Sequence, residues 1–392
     1  MKHSPNSIRP VTLLVALFFS TFLSGAGAAN AHHKYIFYVG TYTEDGSKSK
    51  GIYAYRFDAN SGQITSLGLA AETTDPSFVA LHPNRRFLYA VTKLENYQGP
   101  NSGGVSAFSI DRSDGKLTLL NEVPSLGADP CYLTVDKTGK YVLVANYTGG
   151  SVAVFPVLAD GKLGEASAFV QHSGHGTNPE RQEKAHPHSI DLSLDNRLAM
   201  VDDLGLDELF VYKFDTAKGS LTPNDPPFVK LDAGAGPRHF ARHPSGKFAY
   251  VISEMQSTVT VFSNDEKTGT LHSLQIISTL PKDFSGHNDA AEIQMHPSGK
   301  FLYASNRGSD TIALFAIDPG KGTLTPVEYT PTQGKTPRSF EIDPTGKFLF
   351  AENHKSDNIV VFRIDEKTGH LTATGQVLDV GSPVCLKFLK VD

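Results

Sequence analysis

Tryptophan is absent from the 392-residue chain, and cysteine occurs only twice, at Cys131 and Cys385. The first absence removes any repeat class whose signature is a tryptophan–aspartate pair. The second removes a disulfide scaffold, and because the two residues fall in non-adjacent repeats they are expected to be buried thiols. No basic excess is present either, since the formal net charge is −5 and the pI is near 6.3. A nucleic-acid partner would need a clustered basic face, so none is expected. No Gly-x-Ser-x-Gly motif occurs, which leaves no signature of a serine nucleophile. The apolar stretch at residues 11–22 is too short to span a bilayer comfortably.

That stretch follows Lys2 and Arg9 and leads into small residues ending at Ala29-Asn30-Ala31. A positive start, a short apolar segment and a small-residue cleavage site are the layout of a secretory signal peptide over residues 1–31. An uncleaved anchor is the alternative. Residues 32–392 would then be the mature protein, periplasmic or secreted, monomeric, and without stable membrane insertion.

What is present is a repeat. "GPRHFARHPSGKFAYVISE" begins at Gly236, and five segments align with it without a gap from the proline position onward. They are "DPSFVALHPNRRFLYAVTK" from Asp75, "DPCYLTVDKTGKYVLVANY" from Asp129, "HPHSIDLSLDNRLAMVDDL" from His186, "DAAEIQMHPSGKFLYASNR" from Asp289 and "TPRSFEIDPTGKFLFAENH" from Thr336. Each is followed by a second module such as "STVTVFSNDEKTGTLH", giving a period of about 50 residues. Alternating apolar residues between Gly-, Pro- and Asp-bearing turns make every unit four short antiparallel strands. The predicted architecture is all-β, a seven-bladed β-propeller with four antiparallel strands per blade. The N-terminal "KYIFYVGTY…GIYAYRFDANSGQIT" lacks a Pro-led first strand, and the C-terminal "SPVCLKFLKV" is one without a successor. Joining them closes the ring and leaves no free edge.

Two alignment columns then point to chemistry. The residue after the proline position is Ser77, Cys131, His188, Arg238, Ala291, Arg338 or Val384. The residue ending the second strand is Lys93, Tyr147, Leu204, Glu254, Arg307 or His354. Both columns lie far from the hairpin turn, so they should ring one mouth of the channel, where a ligand pocket is natural. His188, Arg238, Glu254, Arg307, Arg338 and His354 fall on neighbouring blades, which predicts a ligand that is small and anionic or develops negative charge as it reacts. Single rim residues of this kind are often merely solvated. His172, His175, His186 and His188 match no zinc spacing, so no metal and no cofactor are expected. Asp-bearing turns such as "DEKTGT" lack a full ladder of calcium ligands.

The segments "YVGTYT" from Tyr38, "NPERQEKAHPHSI" from Asn178, "GPRHF" from Gly236 and "SNRGSDTIALF" from Ser305 resemble those of the lactonase-type seven-bladed propellers. That family includes propeller-type 6-phosphogluconolactonases and carboxy-cis,cis-muconate cyclases. In the cyclases a His, an Arg, a Glu and a second Arg are regarded as the active site, and His188, Arg238, Glu254 and Arg307 match them in order and approximate spacing. The resemblance implies hydrolysis of a sugar (aldono)lactone by direct water attack. His188 would be the general base, Glu254 would orient it or act as its acid/base partner, and Arg238 with Arg307 would hold an anion and the oxyanion. Arg338, His354 and Arg181 would bind substrate, and Arg181 and Gln182 would either fold over the mouth as a lid or lie on a surface loop. Export favours an unphosphorylated aldonolactone over 6-phosphogluconolactone. Lactone formation from a muconate, or a non-catalytic exported binding propeller, are the competing expectations.

Overall fold

The computed structural model describes residues 1–4, 34–44 and 46–391, so most of the predicted leader lies outside the described residues. Residues from Lys34 onward form seven four-stranded antiparallel sheets. The inner strands are Pro383–Lys390, Val79–Leu81, Pro130–Val135, Pro187–Leu192, Pro237–Arg242, Asp289–Met295 and Pro337–Ile342. Each packs beside the inner strands of both neighbouring blades, and apolar clusters fill the spaces between successive sheets. Closure is as expected, because Pro383–Lys390 pairs with Lys34–Thr41, with Tyr35 opposite Lys390 and Gly40 opposite Cys385. Cys131 and Cys385 are both buried and free. Among the described residues no helix is long and apolar enough to cross a membrane.

The turn chemistry is spent on joining blades. The His82, His243 and His296 rings of the first turns each meet a glycine carbonyl of the next blade, at Gly139 (2.8 Å), Gly299 (3.0 Å) and Gly346 (2.8 Å). On the opposite rim, Asp207, Asp310 and Asp357 have left-handed backbones and accept the backbone N–H of Gly236 (2.8 Å), Thr336 (2.8 Å) and Ser382 (2.9 Å). These three donors immediately precede the prolines of the following inner strands.

That junction has a repeated geometry. Asp75, Asp129, Gly236, Thr336 and Ser382, each directly before a proline, have φ between 40° and 64°. Directly after the proline, pairing skips one residue: Cys131, His188, Arg238, Arg338 or Val384 has no partner across the hairpin. In the Asp289–Met295 blade two residues, Ala291 and Glu292, are skipped. A bulge bends a strand and re-aims the extra side chain. Here it turns the post-proline column towards the channel mouth.

The interior also holds carboxyls where three other blades carry apolar residues. Asp202 is equivalent to Ile252, Ala145 and Val91, and only one of its oxygens is bonded, accepting from Ser189 Oγ at 2.8 Å. Burial, with Asp191 and Asp203 nearby, pushes its pKa up to about 8. A carboxyl with a raised folded pKa is bound to its proton more tightly in the native state, so its contribution is lost as pH rises from the unfolded value, about 4, through about 8. The Asp202→Asn variant is therefore expected to melt above the wild type at pH 9 and to converge with it at pH 4, as read by thermal unfolding at both pH values.

Candidate active site

The two columns meet in a cavity of about 280 Å³ at the channel mouth, lined by Tyr42, Lys93, Asp129, Cys131, Tyr147, Arg181, His188, Glu254, Arg307 and Arg338. Bulges deliver Cys131, His188 and Arg338, and the ends of second strands deliver the rest of the predicted wall. The Cys131 thiol points to the neighbouring bulge, with Sγ 3.4 Å from the His188 carbonyl oxygen.

Glu254 sits at the centre of the charge. Its Oε2 accepts from Arg238 Nε at 2.9 Å and lies 2.7 Å from Arg307 Nη2, while Oε1 is contacted by Arg181 Nη2. Burial opposes ionisation, but the Arg307, Arg238 and Arg181 guanidiniums outweigh it and hold the carboxyl far below the usual carboxylate range. Glu254 is therefore a permanent anion. The expected pairing of Glu254 with His188 is not formed, and a carboxylate held by three cations cannot serve as a proton donor. Arg238 also departs from its expected place. It is 1% exposed and lies behind the cavity wall, with Nη1 donating to the Ala291 carbonyl at 2.7 Å, so it supports Glu254 instead of reaching a ligand.

His188 is 4% exposed, and its Nδ1 is buried without a hydrogen-bond partner. Its ring lies edge-on to Tyr147 (centroids 5.5 Å) and His239 (5.1 Å). Burial first, then Arg238 and the other cations, hold its pKa well below the ordinary imidazole value, so the ring is neutral. Arg338 is the one guanidinium of the wall that Glu254 does not engage. Among the described residues it makes no ion pair or hydrogen bond, and it lies over the Tyr42 ring at 5.5 Å.

Arg181 reaches the cavity from the segment between Ala168–Gln171 and Pro187–Leu192. Gln182 does not act with it. Fully buried, it donates to the Leu204 carbonyl (2.8 Å) and Asp207 Oδ1 (2.7 Å) and accepts from the Thr177 and Asn178 N–H groups (both 3.1 Å), which makes it the loop's anchor. His354 stands outside the inner cavity, in an adjoining outer one of about 560 Å³, with its ring edge-on to Tyr42 at 5.1 Å. His172 and His186 are tied elsewhere, His172 to Asp203 (2.7 Å) and the Tyr212 hydroxyl (2.8 Å), and His186 to the Tyr147 carbonyl (3.0 Å) and Glu183 (3.1 Å).

Sequence reasoning passed over Tyr42 and Asp129 and gave no role to Lys93, whose Nζ lies 3.5 Å from Asp129 and 5.5 Å from the Tyr42 ring centre. Pairing supplies the missing signal. Thr41 faces Pro383 as Ser253 faces Pro237, so Tyr42 is the equivalent of Glu254 in the ring-closing blade.

A family profile for "Lactonase, 7-bladed beta-propeller" matches residues 36–388. The chain belongs to that family. It is 39% identical to a 6-phosphogluconolactonase of Bacillus subtilis over 91% of this chain and 99% of the relative. Among solved structures, a periplasmic gluconolactonase of Pseudomonas aeruginosa superposes with TM-score 0.84 at 36% identity, covering 92% of this chain and 100% of the other. A putative 6-phosphogluconolactonase of Bacteroides fragilis gives TM-score 0.84 at 37% identity, covering 91% and 98%. Membership makes the protein a lactonase-type hydrolase.

Removing the Glu254 charge should be costly because it leaves three guanidiniums facing one another. The Glu254→Gln variant is expected to lose about 3–5 kcal/mol, the usual loss when one partner of a buried pair is taken away. The folded pKa is depressed, so this contribution is present above the ordinary carboxylate range and disappears only as pH falls through the folded value. Denaturant unfolding should show a constant wild-type advantage from pH 6 to 8 that closes only in acid.

Proposed function

We propose that the protein hydrolyses a sugar aldonolactone at the channel mouth, outside the cytoplasm, by adding water directly to the lactone carbonyl. The observation that carries this reading is the coexistence in one cavity of a neutral imidazole with a buried, unpartnered nitrogen and a guanidinium with no carboxylate of its own. His188 takes a proton from the attacking water as its oxygen bonds to the carbonyl carbon. The carbonyl oxygen becomes an oxyanion, met by the guanidinium donors of Arg338 and Arg307. Collapse of this intermediate breaks the bond to the ring oxygen, and the proton held on His188 passes to that leaving oxygen. One imidazole thus serves as base and then as acid, and no proton from Glu254 is needed.

Export and an unphosphorylated substrate belong to the same proposal. The leader-like residues 1–31 support it, as does the likeness to a protein named a periplasmic gluconolactonase. A phosphorylated lactone is a cytoplasmic metabolite and would be scarce in that compartment.

The test is hydrolysis of glucono-1,5-lactone, 6-phosphogluconolactone and a carboxymuconate by purified protein. Turnover of the free lactone is expected to exceed that of the phosphorylated one. His188→Ala should lose at least about 100-fold in kcat, the lower range for a lost acid–base group, with its circular dichroism unchanged. Because the His188 pKa is lowered, the base is fully in its active form above that value. Wild-type kcat/KM should therefore be flat from pH 6 to 8, with no inflection near the ordinary imidazole value. Full activity in the folded His188→Ala protein would end the assignment, and turnover of the muconate alone would replace hydrolysis with lactone formation.

A further inference from the structure

One residue further along the inner strands, the equivalent positions hold Cys385, Phe78, Tyr132, Ser189, His239, Glu292 and Ser339. Three of them form a connected row beneath the mouth. His239 Nδ1 lies 3.2 Å from Glu292 Oε1, and Glu292 Oε2 accepts from Ser339 Oγ at 3.2 Å. Glu292 is itself fixed by its neighbours, its Oε1 accepting the Ile293 N–H at 2.9 Å and its own N–H donating to Ser305 Oγ at 2.9 Å. The other ring nitrogen, His239 Nε2, faces Arg238 Nη1 at 3.2 Å.

A guanidinium only donates, so Nε2 can receive that bond only if it carries no proton. The single ring proton must then sit on Nδ1 and point at Glu292, which is a carboxylate–histidine arrangement that sets the tautomer. Around the ring stand Arg238, the edge of Tyr132 (5.2 Å) and His188 (5.1 Å). Burial outweighs the Glu292 charge and pushes the imidazole down to about 4, so neutrality and geometry agree. Arg238 in turn meets Glu254, which is shared with Arg307 and Arg181.

We propose that His239 and Glu292 are a positioning pair, in which Glu292 fixes the Nδ1–H form of His239 and the free Nε2 holds Arg238, and through it Glu254 and Arg307, in the geometry that the cavity uses. The kinetic part of the test rests on the lactone-opening reading, whereas the spectroscopic part does not.

The first measurement is the ¹⁵N correlation spectrum of the histidine rings in the wild-type protein, with His239→Gln used to assign the signal. A protonated Nδ1 and an unprotonated Nε2, unchanged from pH 5.5 to 8, are expected. The opposite tautomer, or an imidazolium in that range, would overturn the pairing. The second measurement compares three variants on the free lactone. His239→Gln keeps an acceptor for Arg238 and a donor for Glu292, and should stay within about threefold of the wild-type kcat. His239→Phe and Glu292→Gln should lose about 10- to 100-fold in kcat, as for other supporting partners, with KM shifted by less than about threefold. A folded His239→Phe protein as active as His239→Gln would sink the proposal. If His239→Phe does not fold, the tautomer and the Glu292→Gln kinetics decide. If the wild type opens no lactone, that reading fails, and the wild-type spectrum alone decides the pairing.

Discussion

Five of the Pro-led inner strands of this propeller enter their sheets through a residue that the neighbouring strand does not pair, and the mouth of the channel depends on that misfit. In regular pairing, successive side chains alternate between the two faces of a blade and pack against adjacent blades. The proline removes a donor and restricts its own φ, and before Pro130, Pro237, Pro337 and Pro383 the preceding residue is left-handed. One unpaired residue is then pushed out of alternation and towards the axis. Repetition around the ring turns a local irregularity into a circle of converging side chains. Cys131, His188 and Arg338 reach the cavity by this route, and Arg238 reaches the layer just behind it. The aspartates at 207, 310 and 357 clamp three of the entry points from the preceding blade, so the placement of the bulges at Arg238, Arg338 and Val384 is a property of two blades together.

Charge then decides what the circle can do. Four guanidiniums crowd one side of the mouth, and a single carboxylate holds three of them. Without Glu254 the group would repel itself, and with it Arg181, Arg238 and Arg307 become a rigid frame. Arg338 feels the Glu254 charge without forming an ion pair with it, and the imidazole of His188 forms none either. The division matters because a cation already spent on a fixed carboxylate gains less from a ligand than one that has no partner. The residues expected to act together by their position in the alignment therefore fall into two groups, a scaffold of paired charge and a smaller set of groups open to substrate, with Arg307 belonging to both because it pairs with Glu254 and also lines the cavity.

The seven-fold repeat, the blade pattern and the ring closure were legible in the chain because each strand and turn carries its own chemistry. The site was legible as far as the columns went. His188, Glu254, Arg307 and Arg338 do share a cavity, since gapless alignment implies equivalent direction. Depth along a column is another matter. Nothing in the spacing distinguishes Arg238, drawn behind the wall by Glu254 and the Ala291 carbonyl, from Arg338, which faces the opening. Nor does it place His354, whose strand ends in the 3-10 turn His354–Ser356 and whose ring settles against Tyr42 in the outer cavity. Gln182 was misread for the opposite reason: a polar residue in a polar loop looks like a surface group, but four hydrogen bonds bury it as an anchor. Tyr42 escaped notice because the closing blade is assembled from both ends of the chain, and its column becomes complete only when the strands are paired.

The low proton affinity of His188 fits a general base in the proposed reaction better than it first suggests. In the free protein burial first, and then the surrounding cations, penalise an imidazolium, so the ring is in its proton-accepting form but binds a proton weakly. The penalty does not persist through the reaction. In the proposed reaction, negative charge would appear on the oxygen facing Arg338 and Arg307 as water adds to the carbonyl. That charge offsets the cations and raises the affinity of His188 for the proton it is receiving at the same moment. The compensation exists only while the intermediate exists, so the interaction is stronger in the transition state than with bound substrate, which is the condition for acceleration instead of mere binding. When the oxyanion collapses, the cations again disfavour the imidazolium and drive the proton onto the departing ring oxygen. A histidine with an ordinary pKa would hold that proton longer, and the excess of guanidinium around the mouth thereby serves the second half of the reaction as well as the first.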